Sequence, residues 1–256
     1  VSEGVTSVGE VRFVVRDGVG FVTIARPGKK NALTMAMWRA IPGVFAALEA
    51  REDVVGIVMQ GEGGNFGAGA DLEDVLAATS GRAEALAYCT DVANALLAVA
   101  TSPLPTLALM DGVAAGGGAE LALMCDQRIA QDGATICFPF ARIGVVPDRF
   151  TLGRLVGLVG HGHASRLVFS GESIDASRAA SWGLIDEAVA AGGLPSVATA
   201  WAGAIARGSK SARAGMKRTF LEREGPLDVP SLIAPMVESF LGDEVKAAAT
   251  RFLARP

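Results

Sequence analysis

Histidine and cysteine are scarce in this chain, two and three among 256 residues. Cys89, Cys125 and Cys137 are too few and too irregularly spaced for a disulfide framework or a zinc cluster. His161 and His163 form Gly-His-Gly-His at a predicted helix start, with no carboxylate or cysteine partner in the pattern. They read as capping or surface residues, and no metal is expected. Neither sign of charge dominates: 23 Lys and Arg are scattered among 27 acids, for a net charge of −4. That leaves no basic face to follow a phosphate backbone, which argues against a nucleic-acid partner. The apolar run from Ala93 to Ala100 stops at Thr101-Ser102-Pro103. It is short of the roughly 18 to 20 residues that a bilayer span needs, so no membrane partner is expected. The N-terminal residues lack the charged stretch and apolar run of a secretory leader, and with the sparse cysteines this points to a reducing, cytoplasmic setting. No G-x-S-x-G elbow occurs, which disfavours a serine hydrolase.

Glycine, in contrast, is abundant. Its 32 copies, with half the residues apolar and 20% charged, suit a compact fold with many tight backbone turns. The segment from Val11 to Arg16, the pair Asp17-Gly18, and Val19 to Ala25 read as a hairpin, because Asp-Gly tolerates the positive φ of a tight turn. Residues Thr34 to Glu49 carry apolar side chains at helical intervals, with Thr34 as N-cap and Pro42-Gly43 as a site for a kink. Val54 to Met59 reads as a strand buried on both faces. It enters a glycine-rich loop, residues 61 to 70, and then a helix from Asp71.

The pattern recurs about fifty residues on. Thr106 to Met110 is a strand, Asp111 to Gly118 a second small-residue loop, and Glu120 to Met124 the start of a helix. Strands follow at Asp126 to Ala130 and Ala134 to Phe138, then a loop through Gly144 to Pro147. The remainder is predicted helical, at Gly162 to Phe169, Asp175 to Trp182, Val197 to Arg207, Ser209 to Glu222, Val229 to Leu241 and Glu244 to Ala254. The expectation is an α/β core over residues 1–195 and a helical extension over 196–256. In that extension Leu232, Ile233, Met236, Val237, Phe240 and Leu241 form an apolar stripe that reads as an interface with another copy.

Neither loop cradles a nucleotide by its pattern. A P-loop ends in Gly-Lys-Ser/Thr, which both lack, and Gly67-x-Gly69 stops short of G-x-G-x-x-G. Tight turns alone are one reading. The other starts from the second loop, where three glycines open into a helix followed by a carboxylate, Glu120. Glycines admit close backbone approach, and N–H groups at a helix start are unpaired within the helix. Two converging donors stabilise an enolate or tetrahedral oxyanion, each worth about 3 kcal/mol of barrier, and the two loops can supply one apiece.

These residues carry a resemblance. Asn65-Phe66-Gly67-Ala68-Gly69-Ala70-Asp71-Leu72 is similar to the F-x-A-G-A-D-I/L motif of the enoyl-CoA hydratase/isomerase (crotonase) superfamily. Gly116-Gly117-Gly118-Ala119-Glu120-Leu121 with Cys125-Asp126 resembles its G-G-G-x-E-L and C-D motifs. Arg26-Pro27 with Asn31-Ala32-Leu33, and Trp182-Gly183-Leu184-Ile185, stand where the superfamily carries R-P, N-A-L and x-G-L-I/V. The resemblance runs from about residue 11 to 190. It implies a spiral of ββα units with a C-terminal helical trimerisation region, assembled as a homotrimer or a dimer of trimers. It also implies an acyl-CoA thioester as substrate, with coenzyme A as part of that substrate and no separate cofactor. By motif, the oxyanion donors are the backbone N–H groups of Ala70 and Gly117. CoA would lie near Gly28, Lys29 and Lys30 and along Ala68 and Asp71, with Gly116 and Phe140 also at the substrate.

The match breaks at one catalytic position. Hydratases of this superfamily use two glutamates; Glu120 matches the first, but aligning P-E-x-x-x-G on Pro139 and Gly144 puts Phe140 at the second. Losing such a group commonly costs about two to four orders of magnitude. Asp148, eight residues on, matches in position the aspartate of dienoyl-CoA isomerases. The expectation is therefore double-bond isomerisation through an enolate, with Glu120 and Asp148 as acid and base in an order left open. Hydration and a catalytically silent acyl-CoA-binding role are the alternatives. Asp148 also reads as a helix cap and Glu120 as a first-turn glutamate. Arg149-Phe150 replaces small residues and is expected to reshape the acyl pocket, whereas Arg142 is expected to face solvent.

Overall fold

The computed structural model describes residues 6–8, 10–222, 225 and 227–254, so part of the segment read for a leader lies outside the described residues. Strand β1 (Thr6–Val8) pairs antiparallel with β2 (Val11–Arg16), and β2 with β3 (Val19–Ile24). Asp17 and Gly18 both take positive φ, 48° and 77°, giving the expected tight hairpin turn. Helix α1 (Met35–Glu49) starts on Thr34, whose hydroxyl accepts from the Met37 N–H at 3.3 Å. Its inward face carries Met37, Trp38, Ile41, Phe45 and Leu48, all buried.

From β4 (Gly56–Gly61) the chain passes through the first glycine loop into α2 (Leu72–Ala78) and α3 (Arg82–Thr101). The expected apolar run is only the end of α3. At 20 residues this helix is, among those described, the one long and apolar enough to cross a bilayer, yet half of it is buried here, and it packs on α1. The second unit comprises β5 (Thr106–Met110), β6 (Val113–Ala115) and α4 (Gly117–Met124). Two glycines predicted as loop are thus the first turn of a helix. Next come β7 (Gln127–Gln131), β8 (Thr135–Cys137), the short α5 (Phe140–Ile143) and α6 (Arg149–Ser170). Helix α6 begins well before the predicted Gly162 and is broken at Gly160, whose φ of 73° and ψ of 163° are non-helical. The chain continues through β9 (Ser173–Asp175), α7 (Ala176–Ser181), β10 (Glu187–Val189), α8 (Leu194–Ala206), α9 (Lys210–Glu222), α10 (Val229–Leu241) and α11 (Asp243–Leu253).

Among the described residues the strands form a larger sheet in the order β1-β2-β3-β4-β5-β7-β10, parallel from β3 onward, and a smaller one, β6-β8-β9. Two successive units, β5-β6-α4 and β7-β8-α5, each place one strand in the larger sheet, one in the smaller, and then a helix. This is the α/β spiral that the resemblance implies.

The C-terminal stripe does not face outward. Leu232, Ile233, Met236, Val237 and Phe240 are buried within this chain, because α10 lies along α3, and the Tyr88 and Phe240 rings meet at a tilt of 35° with centroids 5.1 Å apart. The spacing correctly marks a buried face, but the covering element belongs to the same chain. The exposed apolar side chains are elsewhere, notably Phe169 on α6 and Met216 and Phe220 on α9.

Candidate active site

The two loops are joined main chain to main chain. Gly61 turns out of β4 so tightly that a Cβ there would stand 1.8 Å from the Asn65 carbonyl oxygen, so only glycine fits. Buried Asn31 then pins the loop: its Nδ2 donates to the carbonyls of Glu62 (2.8 Å) and Asn65 (2.6 Å), while its Oδ1 accepts from Arg26 N–H at 2.9 Å. Phe66 and Gly67 both donate to the Val113 carbonyl (3.1 and 2.9 Å), and Ala115 N–H returns a bond to Gly67 at 2.8 Å. The first loop is thus an extra strand segment on β6. Gly118 must be glycine, since its Cβ would meet the Gly67 carbonyl oxygen at 2.2 Å.

This docking leaves two amides free at one place. Leu33 N–H donates to Gly69 (2.7 Å) and Leu33 accepts from Asp71 N–H (2.8 Å), so the parallel bridge between Leu33 and Ala70 uses the groups flanking Ala70. The Ala70 N–H faces the other way. Gly116, at φ 46° and ψ −123°, turns the second loop so that Gly117 opens α4. Neither the Ala70 nor the Gly117 N–H donates to a described group. They are close: a Cβ on Gly117 would lie 3.6 Å from Ala70 N, and one on Gly69 would lie 3.7 Å from Gly117 N.

Ala70 and Gly117 both line one cavity of about 500 Å³. Of the residues singled out in the sequence, Lys29, Ala68, Ala70, Asp71, Gly116, Gly117, Glu120 and Phe140 line it; Gly28, Lys30 and Asp148 do not. Arg149 and Phe150 are not in its wall either, because Phe150 is buried in the core and Arg149 is exposed. Arg142 is exposed, as expected, but borders the cavity with Nε donating to the Ser170 carbonyl at 2.9 Å.

Glu120 is 7% exposed in the first turn of α4. Burial pushes its carboxyl up to about 8; the charge of Asp148 adds to the push and the Thr151 hydroxyl opposes it. Asp148 itself is buried and caps α6. Its carboxylate accepts from Thr151 N–H at 2.9 Å and from Thr151 Oγ1 at 2.6 Å. Thr151 thus stands between the two carboxylates.

Asp71, which lines the cavity near Lys29, caps α2 by accepting from Glu73 N–H, and pairs with Arg26 Nη1 at 2.6 Å. Burial opposes its charge, but the Arg26 and Glu73 bonds outweigh it and hold the carboxyl below the usual range. His163 stacks on Trp182 at 4.0 Å, and no group of three or more metal-ligating side chains occurs among the described residues.

Sequence reasoning missed much of the wall. Trp38, Tyr88, Val92, Met236, Phe240, Phe252 and Leu253 line the cavity, coming from α1, α3, α10 and α11. Each sits in an apolar helical pattern that signals burial and nothing more.

The profile of the enoyl-CoA hydratase/isomerase family matches residues 15–226 of this chain. A protein of Rhodobacter capsulatus named as a probable enoyl-CoA hydratase is 36% identical over 214 residues, 82% of this chain and 80% of that one. A protein of Mycobacterium avium with the same description is 34% identical over 200 residues, covering 78% and 77%. The crystal structure of an enoyl-CoA hydratase from Bacillus halodurans superposes with a TM-score of 0.87 at 24% identity, over 95% of this chain and all of that one, a likeness of fold. Free paired amides over one cavity, the ββα spiral and these matches agree: the chain is an enzyme of the enoyl-CoA hydratase/isomerase family.

Proposed function

We propose that the protein shifts a carbon–carbon double bond in an enoyl-CoA thioester, with Glu120 as the proton carrier. The observation that carries this reading is that Glu120 is the one buried carboxylate in the wall of a cavity that Ala70, Gly117 and apolar Phe140 also line. The other carboxylates of the wall are Asp71, held by Arg26, and Glu73, which is exposed. On a 3-enoyl thioester, the Glu120 carboxylate takes a proton from C2. The electron pair spreads over the dienolate, its negative oxygen held by the N–H groups of Ala70 and Gly117. Glu120 then returns the same proton to C4, leaving the 2-enoyl thioester. A carboxyl poised near 8 populates both its acidic and basic forms at neutral pH, which a single carrier requires.

Asp148 acts in this reading as a positioning residue, fixing Thr151 and raising the proton affinity of Glu120. CoA lies toward Lys29, Ala68 and Asp71, with Gly28 and Lys30 beside that mouth on the exposed turn. Assembly as a trimer or dimer of trimers in the cytoplasm belongs to the same proposal. The exposed Phe169, Met216 and Phe220 support association, and light scattering on the purified protein tests it.

Hydration is the second reading, favoured by the names of the relatives. It requires a water to be held and activated, and Phe140 can do neither. Mass spectrometry of products from 3-enoyl and 2-enoyl thioesters decides between them: isomerisation leaves mass unchanged, and hydration adds one water. Glu120→Gln should lower turnover by about two to four orders of magnitude while thioester binding persists. In the wild type the proton-abstracting limb should rise with pH toward about 8. Tight binding with no turnover in the wild type would support the silent, binding-only role.

A further inference from the structure

The wall of the acyl cavity holds two polar groups that the fold leaves unpaired. Trp38, on α1, is 1% exposed, and its Nε1–H is buried with no hydrogen-bond partner. The six-membered edge of the same indole rests on Gly117, since a Cβ there would come within 2.7 Å of Trp38 Cζ2. Nε1 is two bonds from that atom, so the orphan donor lies close to the amide that would hold the thioester oxygen. Leaving a buried N–H unpaired costs about 1–3 kcal/mol, and folds seldom keep one. Phenylalanine would fill much of this space without that cost.

Tyr88 lies on α3, which packs directly on α1, and it lines the same cavity at 5% exposure. Its ring is held by Phe240, and its hydroxyl has no hydrogen bond to a described residue. Burial and the negative charge of Glu120 raise its pKa, so it is a neutral phenol and a donor. The same wall also carries apolar Val75, Val92, Met236 and Phe140. A plain alkyl chain in this cavity would leave the Trp38 N–H unpaired, cover the Tyr88 hydroxyl, and give nothing back.

We propose that the acyl group of the natural substrate carries a neutral oxygen, a carbonyl, ether or hydroxyl, that accepts hydrogen bonds from Trp38 Nε1–H and Tyr88 Oη–H. This rests on the reading of the cavity as the acyl-thioester site. Both donors are uncharged, the strongest charge effect on Tyr88 is that of an acid, Glu120, and of the cations in the wall Lys29 and Arg142 are exposed and Arg26 is paired with Asp71. A carboxylate would therefore lose its hydration for two neutral bonds, which disfavours an anionic acyl tail.

The test uses chain-matched enoyl-CoA thioesters: a plain alkyl chain, the same chain with a methylene replaced by an ether oxygen or carbonyl, and one ending in carboxylate. They are compared by kcat/KM in the wild type, Trp38→Phe and Tyr88→Phe. The wild type should prefer a neutral oxygenated chain by about ten- to a hundredfold, as one or two newly paired buried donors predict. Trp38→Phe should collapse most of that ratio and Tyr88→Phe part of it. Equal rates across the series in the wild type, or a preference for the carboxylate, would overturn the proposal. So would a Trp38→Phe enzyme slowed alike on every thioester, because Trp38 would then be a third donor to the thioester oxygen. If no thioester turns over, the isomerase reading fails. The same ratio is then read from binding constants by calorimetry, where its presence upholds the oxygen-binding proposal and its absence defeats it. If Trp38→Phe does not fold, the wild-type ratio and Tyr88→Phe still decide.

Discussion

The two ends of the cavity are made of different material. At the thioester end the wall is main chain: the Ala70 and Gly117 amides, fixed by Asn31, by the bonds of Phe66 and Gly67 to Val113, and by glycines whose Cβ atoms would collide. At the acyl end it is side chain, drawn from α3, α10 and α11. Backbone positions are difficult to vary without breaking the fold, whereas side chains can be exchanged singly. In the function proposed here, the first end sets what chemistry is possible and the second sets which molecule receives it.

Gly118→Ala gives the largest expected effect on this contrast. Its Cβ would stand 2.2 Å from the Gly67 carbonyl oxygen, so the loops must part. The loss of aligned donors should lower kcat/KM by about 10²–10³-fold, and the overpacking should cost about 1–3 kcal/mol in denaturant unfolding. Activity near the wild-type level would show that the two loops need not meet for the chemistry. Phe252→Ala, at the other end, should move KM and chain-length preference by about three- to tenfold and leave kcat nearly unchanged. A large fall in kcat would erase the division between the ends.

Asp148→Ala should produce the smallest change, and it probes the boundary between the two. Losing the α6 cap costs about 1 kcal/mol. The charge that helps to hold the Glu120 proton also goes, so the pKa of Glu120 falls and the rising limb of the pH–rate profile moves to lower pH. An unmoved limb would separate Asp148 from the acid–base chemistry.

The same contrast explains what was legible in the sequence. Positions where only glycine fits leave a mark, so the two loops, the Asp17-Gly18 turn and the approximate place of Glu120 could all be read. The start of α4 was placed late because glycine disfavours helix, and tertiary contact with Gly67 and Trp38 overrides that preference. Asp148 illustrates a different ambiguity. The residue type and position suit both a cap and a reactive carboxylate, and only coordinates reveal that Thr151 takes up its oxygens. The acyl end was unreadable for a third reason. Helical spacing in α10 says that Met236 and Phe240 are covered, but not that α3 covers them or that a cavity lies between. Helix α3 itself, with Tyr88, was not anticipated, since only its final apolar stretch stood out.

Phe252 and Leu253 belong to α11, which packs on α2 and α5 and forms part of the wall that a bound acyl chain would touch. Occupancy and docking of that helix are then linked equilibria: whatever favours one favours the other by the same free energy. A ligand held in the cavity should slow amide exchange along α11 as well as beside the thioester, making the end of the chain a reporter of whether the enzyme is loaded.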